Sequence, residues 1–322
     1  MGAYCQRIGN YSERGGESVT ISVVIPTYNR AVLLVQTVQS VLAQTRLPDE
    51  IVIVDDGSTD ETRAVVAARF GDNPLVRYHY KENAWLGAAR NTGFRLTTGE
   101  AVLFLDSDDL LLPDALSALE NALKTNPSAA LSYCAVQVID HEGNVVEPET
   151  REGKWDGDVW AHLLHGNFIR SAGSVLVRRT AMEAAGLFDE AMRSCEDWDQ
   201  WLRLAERGEF CRVTGKPLFQ YRLSPQSMSQ NRRRMHDNNQ VVYQKLREHH
   251  QGNPARLQQI ALAETEYLRD TMLDEQGVLA LKPQHRFARA LLESTGLASL
   301  YRRTPYGFRL ALRRLAGVGR RA

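Results

Sequence analysis

The chain has 322 residues, 39 basic and 39 acidic residues, and a hydrophobic content of 43%. This composition is typical of a soluble globular protein of one or two domains, and the zero net charge does not favour a nucleic-acid-binding protein. Four scattered cysteines without a CxxC pair fit no zinc pattern and predict a reduced, cytoplasmic protein. The polar, glycine-rich segment 1–18 predicts a loose tail rather than a secretory signal, and no apolar run is long enough to predict a transmembrane helix.

The first part of the chain alternates short β-branched apolar runs with amphipathic stretches. The predicted elements are, in chain order, strand 20–29, helix 30–44, strand 50–58, helix 58–70, strand 75–80, helix 84–97, strand 101–109 and helix 113–124. Asn29 is predicted to cap the first helix, Ser58 and Glu61 to form a capping box for the second, and Pro113 to lie in the first turn of the last. Strands that alternate with helices predict an α/β fold with a mostly parallel sheet.

The pattern changes after about residue 130. Further strands are predicted at 131–140, 145–149 and 172–179, a helix at 195–208, and a mostly helical, polar region from about 225 to the end. We therefore expect an N-terminal tail (1–18), a catalytic α/β domain (19–224) and a helical C-terminal extension (225–322).

Polar residues follow three of the predicted strands, where parallel sheets bind their ligands. These residues are Thr27-Tyr28-Asn29, Asp55-Asp56 and Asp106 to Asp109. We therefore expect one site at this edge of the sheet.

Asp106 and Asp108 are two positions apart, so their side chains are expected to face the same side. Their oxygens suit a hard divalent cation, Mg²⁺ or Mn²⁺, which usually completes its shell with water and phosphate oxygens. The alternative is that these acids cap the helix that follows, a role expected in particular for Asp109.

Two more groups have a functional and a structural interpretation. Asp55 and Asp56 can accept hydrogen bonds from a base or ribose, and Tyr28 can stack on a base, but an Asp-Gly turn before a helix is also common. Asp197, beside Glu196 and two tryptophans, is a candidate general base. The segment from Ser194 to Asp197 also fits an ordinary helix-capping pattern.

The ordered set of motifs resembles the family 2 glycosyltransferases over about residues 20–222. The matching segments are VVIPTYNR (23–30), SVLAQT (40–45), EIVIVDDGSTDET (50–62), GAARNTGF (87–94), FLDSDD (104–109), GLFDE (186–190) and CEDWDQWLRL (195–204).

The resemblance implies a GT-A fold and inverting transfer of a sugar from a nucleotide-sugar, usually a UDP-sugar, to an acceptor hydroxyl. By matching positions it implies Asp108, with Asp106, as ligands of Mn²⁺ or Mg²⁺, and Asp197 as the catalytic base. The donor-binding residues that it implies are Pro26, Thr27, Tyr28, Asp55, Asp56, Arg90, Asn91, Asp106 and Ser107. The implied acceptor is a glycan or a lipid-linked saccharide in cell-surface synthesis.

The sequence departs from this family in two places. Trp85 stands where the family often has glycine, and the histidine that the family often has near Ser224 is absent, with His236 or the arginines 232–234 as candidate substitutes.

The arginine-rich segment 301–321 is a candidate for peripheral contact with the inner face of the cell membrane. The alternatives are a helix packed on the catalytic domain or a frayed tail.

Two other functions compete with sugar transfer. A sugar-1-phosphate nucleotidyltransferase would need a glycine-rich basic loop after the first strand, and PTYNR does not provide one. A non-catalytic nucleotide-sugar- or glycan-binding protein would not need acids at both Asp108 and Asp197.

Overall fold

A computed structural model of the chain describes residues 18–149, 154–223, 227, 231–270, 272–273 and 279–280. The strands are β1 (Ile21–Thr27), β2 (Glu50–Asp56), β3 (Val76–Lys81), β4 (Ala101–Phe104), β5 (Leu110–Leu111), β6 (Ala129–Tyr133), β7 (Val136–Ile139), β8 (Val145–Glu147), β9 (Val175–Arg178), β10 (Glu209–Arg212), β11 (Phe219–Arg222), β12 (Met272–Leu273) and β13 (Leu279–Ala280). The helices are α1 (Ala31–Leu42), α2 (Thr62–Phe70), α3 (Trp85–Leu96), α4 (Ala115–Thr125), α5 (Trp160–Leu163), α6 (Arg179–Ala185), α7 (Glu196–Ala205), α8 (Arg232–His249) and α9 (Pro254–Asp270).

The central sheet has seven strands in the order β10-β6-β9-β4-β1-β2-β3. Pairing is parallel across β4, β1, β2 and β3 and between β10 and β6, while β9 runs antiparallel to both of its neighbours. The chain adds β2 and β3 on one side of β1 and then returns to place β4 on the other side. This reversal opens a crevice at the carboxyl ends of β1 and β4. The predicted mostly parallel α/β sheet is confirmed.

Both faces of the sheet are covered, which explains why its strands appear as continuous apolar runs. Val23 and Ile25 of β1 belong to one buried layer, together with Leu34 of α1. Val24 belongs to the opposite layer, together with Phe94 of α3. The crevice residues are thus placed by a sheet with a packed core on either side.

The predicted caps of the first two helices are wrong, because the turns before α1 and α2 are hydrogen-bonded to each other and Asp60 takes the capping role. Asn29 makes no cap on α1, and Ser58 and Glu61 form no capping box on α2. Instead Asp60 Oδ2 accepts from the N–H of Ala31 (3.3 Å), Asn29 Oδ1 accepts from the N–H of Asp60 (3.3 Å), and Ser58 Oγ accepts from the N–H of Asn29 (2.9 Å). Asp60 Oδ1 also accepts from the N–H of Thr62 (3.0 Å), so one carboxylate serves the first N–H group of both helices, that of α2 locally and that of α1 from a neighbouring turn.

One predicted strand is divided between two sheets, and two others are shorter than predicted. The run 131–140 bends at Cys134 and Ala135, so that β6 joins the central sheet and β7 a second, four-stranded sheet of order β5-β11-β7-β8. The run 101–109 ends as a strand at Phe104, and β5 follows in the second sheet. The run 172–179 begins with a 3₁₀ turn before β9. An apolar pattern records burial but not which sheet the strand joins.

Helices α8 and α9 supply buried residues to the same apolar core as the sheet, among them Val242, Tyr243 and Ile260. The ring of Tyr243 meets that of Trp198 on α7 edge-on, with centroids 5.5 Å apart. The boundary predicted after residue 224 and the arginine-rich segment 301–321 fall outside the described residues. Among the described helices, none is long and apolar enough to cross a membrane.

Candidate active site

A cavity of about 990 Å³ lies at the carboxyl ends of the strands, closed on the far side by the start of α7 and by α8. Nine of the predicted site residues line it: Pro26, Thr27, Tyr28, Asp56, Arg90, Asp106, Ser107, Asp108 and Asp197. Topology brings these residues together from positions that are up to 171 apart in the chain, since they lie at strand ends and helix starts that share one edge.

Two predicted donor-binding residues lie behind the described wall of this cavity. Asp55 is buried and accepts hydrogen bonds from the N–H of Ser58 (2.7 Å) and from the hydroxyl of Tyr78. The amide of Asn91 donates to the carbonyl of Phe188 (2.8 Å) and its oxygen accepts from the N–H of the same residue (3.0 Å). Both side chains are therefore occupied in holding the turns that shape the site.

The carboxylate of Asp56 anchors the loop before α3. Its Oδ1 accepts from Lys81 Nζ (2.7 Å) and from the N–H of Ala84 (3.0 Å), and its carbonyl accepts from the amide of Asn83 (2.8 Å). The strand end at β2 is thereby fixed to the loop that forms the next part of the cavity wall.

The acidic turn after β4 separates its carboxylates as the spacing predicts. Asp106 and Asp108 line the cavity, whereas Asp109 is buried on the other side, where it accepts from the N–H of Arg222 (2.8 Å) and the hydroxyl of Ser171 (3.2 Å). Asp109 therefore does not cap α4, contrary to the sequence-based expectation.

A cation fits the pair formed by Asp106 and Asp108. Burial and, second, the charge of Asp106 raise the pKa of Asp108, so a cation beside it would favour its ionised form. Nε of Arg30 lies 3.9 Å from Oδ2 of Asp108, which is too far for a hydrogen bond. Carboxylate oxygens on one turn, facing a cavity, are the donor set that Mg²⁺ and Mn²⁺ prefer.

Arg90 connects the acidic turn to α7. Its buried guanidinium donates through Nη2 to Asp106 Oδ1 (2.8 Å) and through Nη1 to Glu196 Oε1 (2.6 Å). Burial alone would lower the pKa of Arg90, but the carboxylates of Asp106 and Glu196 outweigh it and hold this pKa above its usual range. Sequence reasoning placed Arg90 at the nucleotide but missed the bridge to Glu196, because nothing in a separation of 106 residues indicates it.

Asp197 lies partly buried in the cavity wall, at the start of α7. Its Oδ1 accepts from the N–H of Trp198 (2.7 Å) and its Oδ2 from the amide of Asn167 (3.1 Å). Burial, with the charge of Glu196 second, raises the pKa of Asp197 to about 7. The predicted side-chain cap by Ser194 is absent, because α7 begins after Cys195 with no side-chain cap bond. The carboxyl group of Asp197 therefore changes charge near neutral pH.

Two of the candidate substitutes for the missing histidine, His236 and Arg233, have partners away from the acidic turn. His236 is hydrogen-bonded to the Tyr267 hydroxyl (2.9 Å), and Arg233 pairs with Asp237 (3.0 Å) on an exposed face. Arg222, in contrast, lines the cavity and donates from Nε to the carbonyl of Asp108 (2.9 Å). The end of β11 thus supports the backbone of the turn, a role that sequence reasoning missed.

The family model for glycosyl transferase family 2 matches residues 22–186, about half of the chain. The chain belongs to this family. Five of the seven motifs on which the sequence resemblance rested contribute residues to the cavity wall.

The match to curated relatives covers only part of this chain and only part of each relative. An uncharacterized glycosyltransferase of Rickettsia typhi is 33% identical over 190 residues, which is 58% of either chain. Chondroitin synthase of Escherichia coli is 32% identical over 193 residues, 59% of this chain and 27% of the synthase.

Solved structures agree on the fold. S. aureus TarS (residues 1–349), solved with UDP-GlcNAc, has a TM-score of 0.62 at 18% identity and covers 77% of this chain and 72% of its own. The same protein with UDP has a TM-score of 0.60 at 20% identity, covering 77% and 71%. The GT-A fold expected from the sequence is confirmed.

Proposed function

We propose that this glycosyltransferase moves a sugar from a nucleotide-sugar, a UDP-sugar in particular, to an acceptor hydroxyl with inversion at the anomeric carbon. The observation that supports the proposal is the Asp106–Arg90–Glu196 bridge, which joins the acidic turn to the start of α7. The carboxylates of the acidic turn and of Asp197 line the same cavity. The choice of donor is supported by the fold neighbour TarS, which has been solved with UDP and with UDP-GlcNAc.

The residues divide the reaction between them. Asp108 and Asp106 would hold Mn²⁺ or Mg²⁺, and a bound divalent ion neutralises charge on the diphosphate, so that no proton donor is needed for the leaving group. Asp197 accepts the proton of the acceptor hydroxyl as that oxygen bonds to the anomeric carbon. The bond from this carbon to the diphosphate breaks on the opposite face, which gives the inverted product. Arg90 orients Asp106 and Glu196 by donating a hydrogen bond to each carboxylate.

The acceptor that we propose is a glycan or lipid-linked saccharide in the synthesis of a cell-surface polysaccharide or glycolipid. The support is the relation to a chondroitin synthase, a polysaccharide-forming enzyme by its name. Peripheral membrane contact through 301–321 would suit a lipid-linked acceptor and remains a prediction, since those residues lie outside the described part of the chain.

The proposal is tested by release of UDP from a panel of UDP-sugars, with Mn²⁺ and with EDTA. Asp197→Asn should lower kcat by about 100-fold or more, the usual scale of base catalysis, while the Kd for UDP stays within about twofold. Asp108→Ala should weaken UDP binding in Mn²⁺ and abolish the difference between Mn²⁺ and EDTA. Near-normal turnover in Asp197→Asn would remove Asp197 from its role, and equal UDP binding with and without metal would remove the metal from the proposal.

A further inference from the structure

Trp85 begins α3 in a backbone conformation that a tryptophan rarely adopts. Its φ is +76°, in the left-handed region where a side chain carries a free-energy cost that glycine avoids. A bulky residue held there at a cavity suggests that the side chain is required for function rather than for folding.

The indole of Trp85 is both exposed and part of the cavity wall. Its exposed fraction is 42%, and it lines the same cavity as Tyr28, whose exposed fraction is 48%. The N–H of Ala84, the residue before Trp85, is held by Asp56 Oδ1. This hydrogen bond to Asp56 therefore fixes the position of the loop that leads into Trp85.

The sheet order places Asp56 between the two aromatic residues. Tyr28 follows β1, Asp56 ends β2, and Trp85 follows β3, with β2 paired to both neighbours. The ends of β1 and β3 are two strand spacings apart, about 10 Å. Tyr28 and Trp85 therefore lie to either side of Asp56, and all three residues line one cavity.

One face of the indole is already occupied. The guanidinium of Arg193, on the segment before α7, lies 4.6 Å from the centre of the Trp85 ring. Such a cation–π contact orients the ring and favours the use of its opposite face by a planar ligand. Trp85 is thus held from two sides, by the loop anchored at Asp56 and by Arg193.

We propose that Trp85 stacks on the nucleobase of the donor and is a determinant of its affinity, an inference that rests on the proposed use of a UDP-sugar. Stacking on a base contributes to ligand binding, which gives a functional reason for an aromatic side chain at a position where the backbone favours glycine. The carboxylate of Asp56, between Tyr28 and Trp85, is placed to accept from the edge of the same base.

The test measures UDP binding by calorimetry in Mn²⁺ for the full chain and its variants. Trp85→Gly and Trp85→Asn, both tolerant of positive φ, should raise the Kd for UDP about tenfold or more, whereas Trp85→Phe should stay within about threefold. Inorganic pyrophosphate, which has no base, should bind all of them equally. The thermal midpoint of Trp85→Gly should not fall below that of the unaltered chain. Tyr80→Ala is the matched control, because Tyr80 is 50% exposed but does not line the described cavity.

The outcomes separate this inference from the proposed function. If the unaltered chain does not bind UDP, the proposed donor is wrong and this inference falls with it. If the unaltered chain binds UDP and the glycine and asparagine variants bind it equally well, only the role of Trp85 is overturned. The same holds if Trp85→Gly lowers the thermal midpoint and leaves UDP binding intact, since Trp85 is then a structural residue.

Discussion

At the scale of single residues, Asp197 has the environment expected of a general base. Two hydrogen bonds hold its carboxylate, from Asn167 and Trp198, while burial and Glu196 favour its protonated form. Arg90 acts in the opposite direction and lowers this pKa, and the charge of Asp106 raises it slightly. The balance leaves a carboxyl group that changes charge near neutral pH.

The rate of sugar transfer should depend on pH. Since the pKa of Asp197 is raised to about 7, kcat/KM should increase with pH up to about 7 and level off above it, because the protonated carboxyl cannot accept the acceptor's proton. Initial rates over about pH 5.5 to 8.5 measure the profile. Asn167→Ala should move the midpoint upward, because the amide hydrogen bond stabilises the ionised form.

A flat profile over this range would contradict the assignment of Asp197.

The raised pKa of Asp197 also makes the free energy of unfolding depend on pH. The pKa of Asp197 in the folded protein lies above the ordinary value of 3.8. The contribution of its protonated carboxyl to the free energy of unfolding is therefore complete at low pH and is lost as pH rises through about 7. Asp197→Asn should therefore be no less stable than the unaltered chain at about pH 8, which also serves as a folding control.

At the scale of secondary-structure elements, α3 joins β4 to α7 through one side chain. Arg90→Met would leave Glu196 buried without its partner, and the free energy of unfolding should fall by about 3–5 kcal/mol. Urea unfolding measures this loss. Adding Glu196→Gln should recover part of it, because the uncompensated charge is then removed. If the two losses simply add, the bridge does not couple the elements.

Helix α3 also lies unusually close to β1. A Cβ atom at Gly93 would stand 2.2 Å from Cγ1 of Val24, so Gly93→Ala must displace the side chain of Val24, the helix or the strand. We expect a loss of about 1–3 kcal/mol in the free energy of unfolding, as for other overpacked cores, measured by urea denaturation. Gly252→Ala is the control, with no atom within 4 Å of its added Cβ. Equal stability of the two variants would contradict this packing.

At the scale of the whole molecule, α8 is part of the same core as the sheet. Tyr243 is fully buried, its ring meets Trp198, and its hydroxyl donates to the carbonyl of Leu164 (2.9 Å). Tyr243→Ala should cost about 3–5 kcal/mol, whereas Tyr243→Phe should cost about 1 kcal/mol, the usual value of one hydrogen bond.

Unfolding of the unaltered chain should accordingly be a single transition. Circular dichroism, which reports on helices, and tryptophan fluorescence, which reports on Trp198 among others, should give coincident midpoints. Two separated transitions would show that the C-terminal helices unfold independently of the α/β domain. The Tyr243 variants should then shift only one of the two.

The sequence by itself determined most of the sheet and the composition of the site. Apolar β-branched runs bounded by turns, such as 20–29 and 50–58, predict buried strands because burial on both faces leaves no polar position. Parallel strands that end at one edge bring Asp56 and Asp106 together in any such fold.

Tertiary structure alone decided the partners of these residues. It divided 131–140 between two sheets, brought Asp60 to the first N–H group of α1, joined Arg90 to Glu196 and placed Trp85 at positive φ. The physical reason is that periodicity and turn preference act over a few residues, whereas a hydrogen bond or ion pair goes to whichever group the fold brings near. Those neighbours come from elements about 30 to 106 residues away, and no local pattern records them.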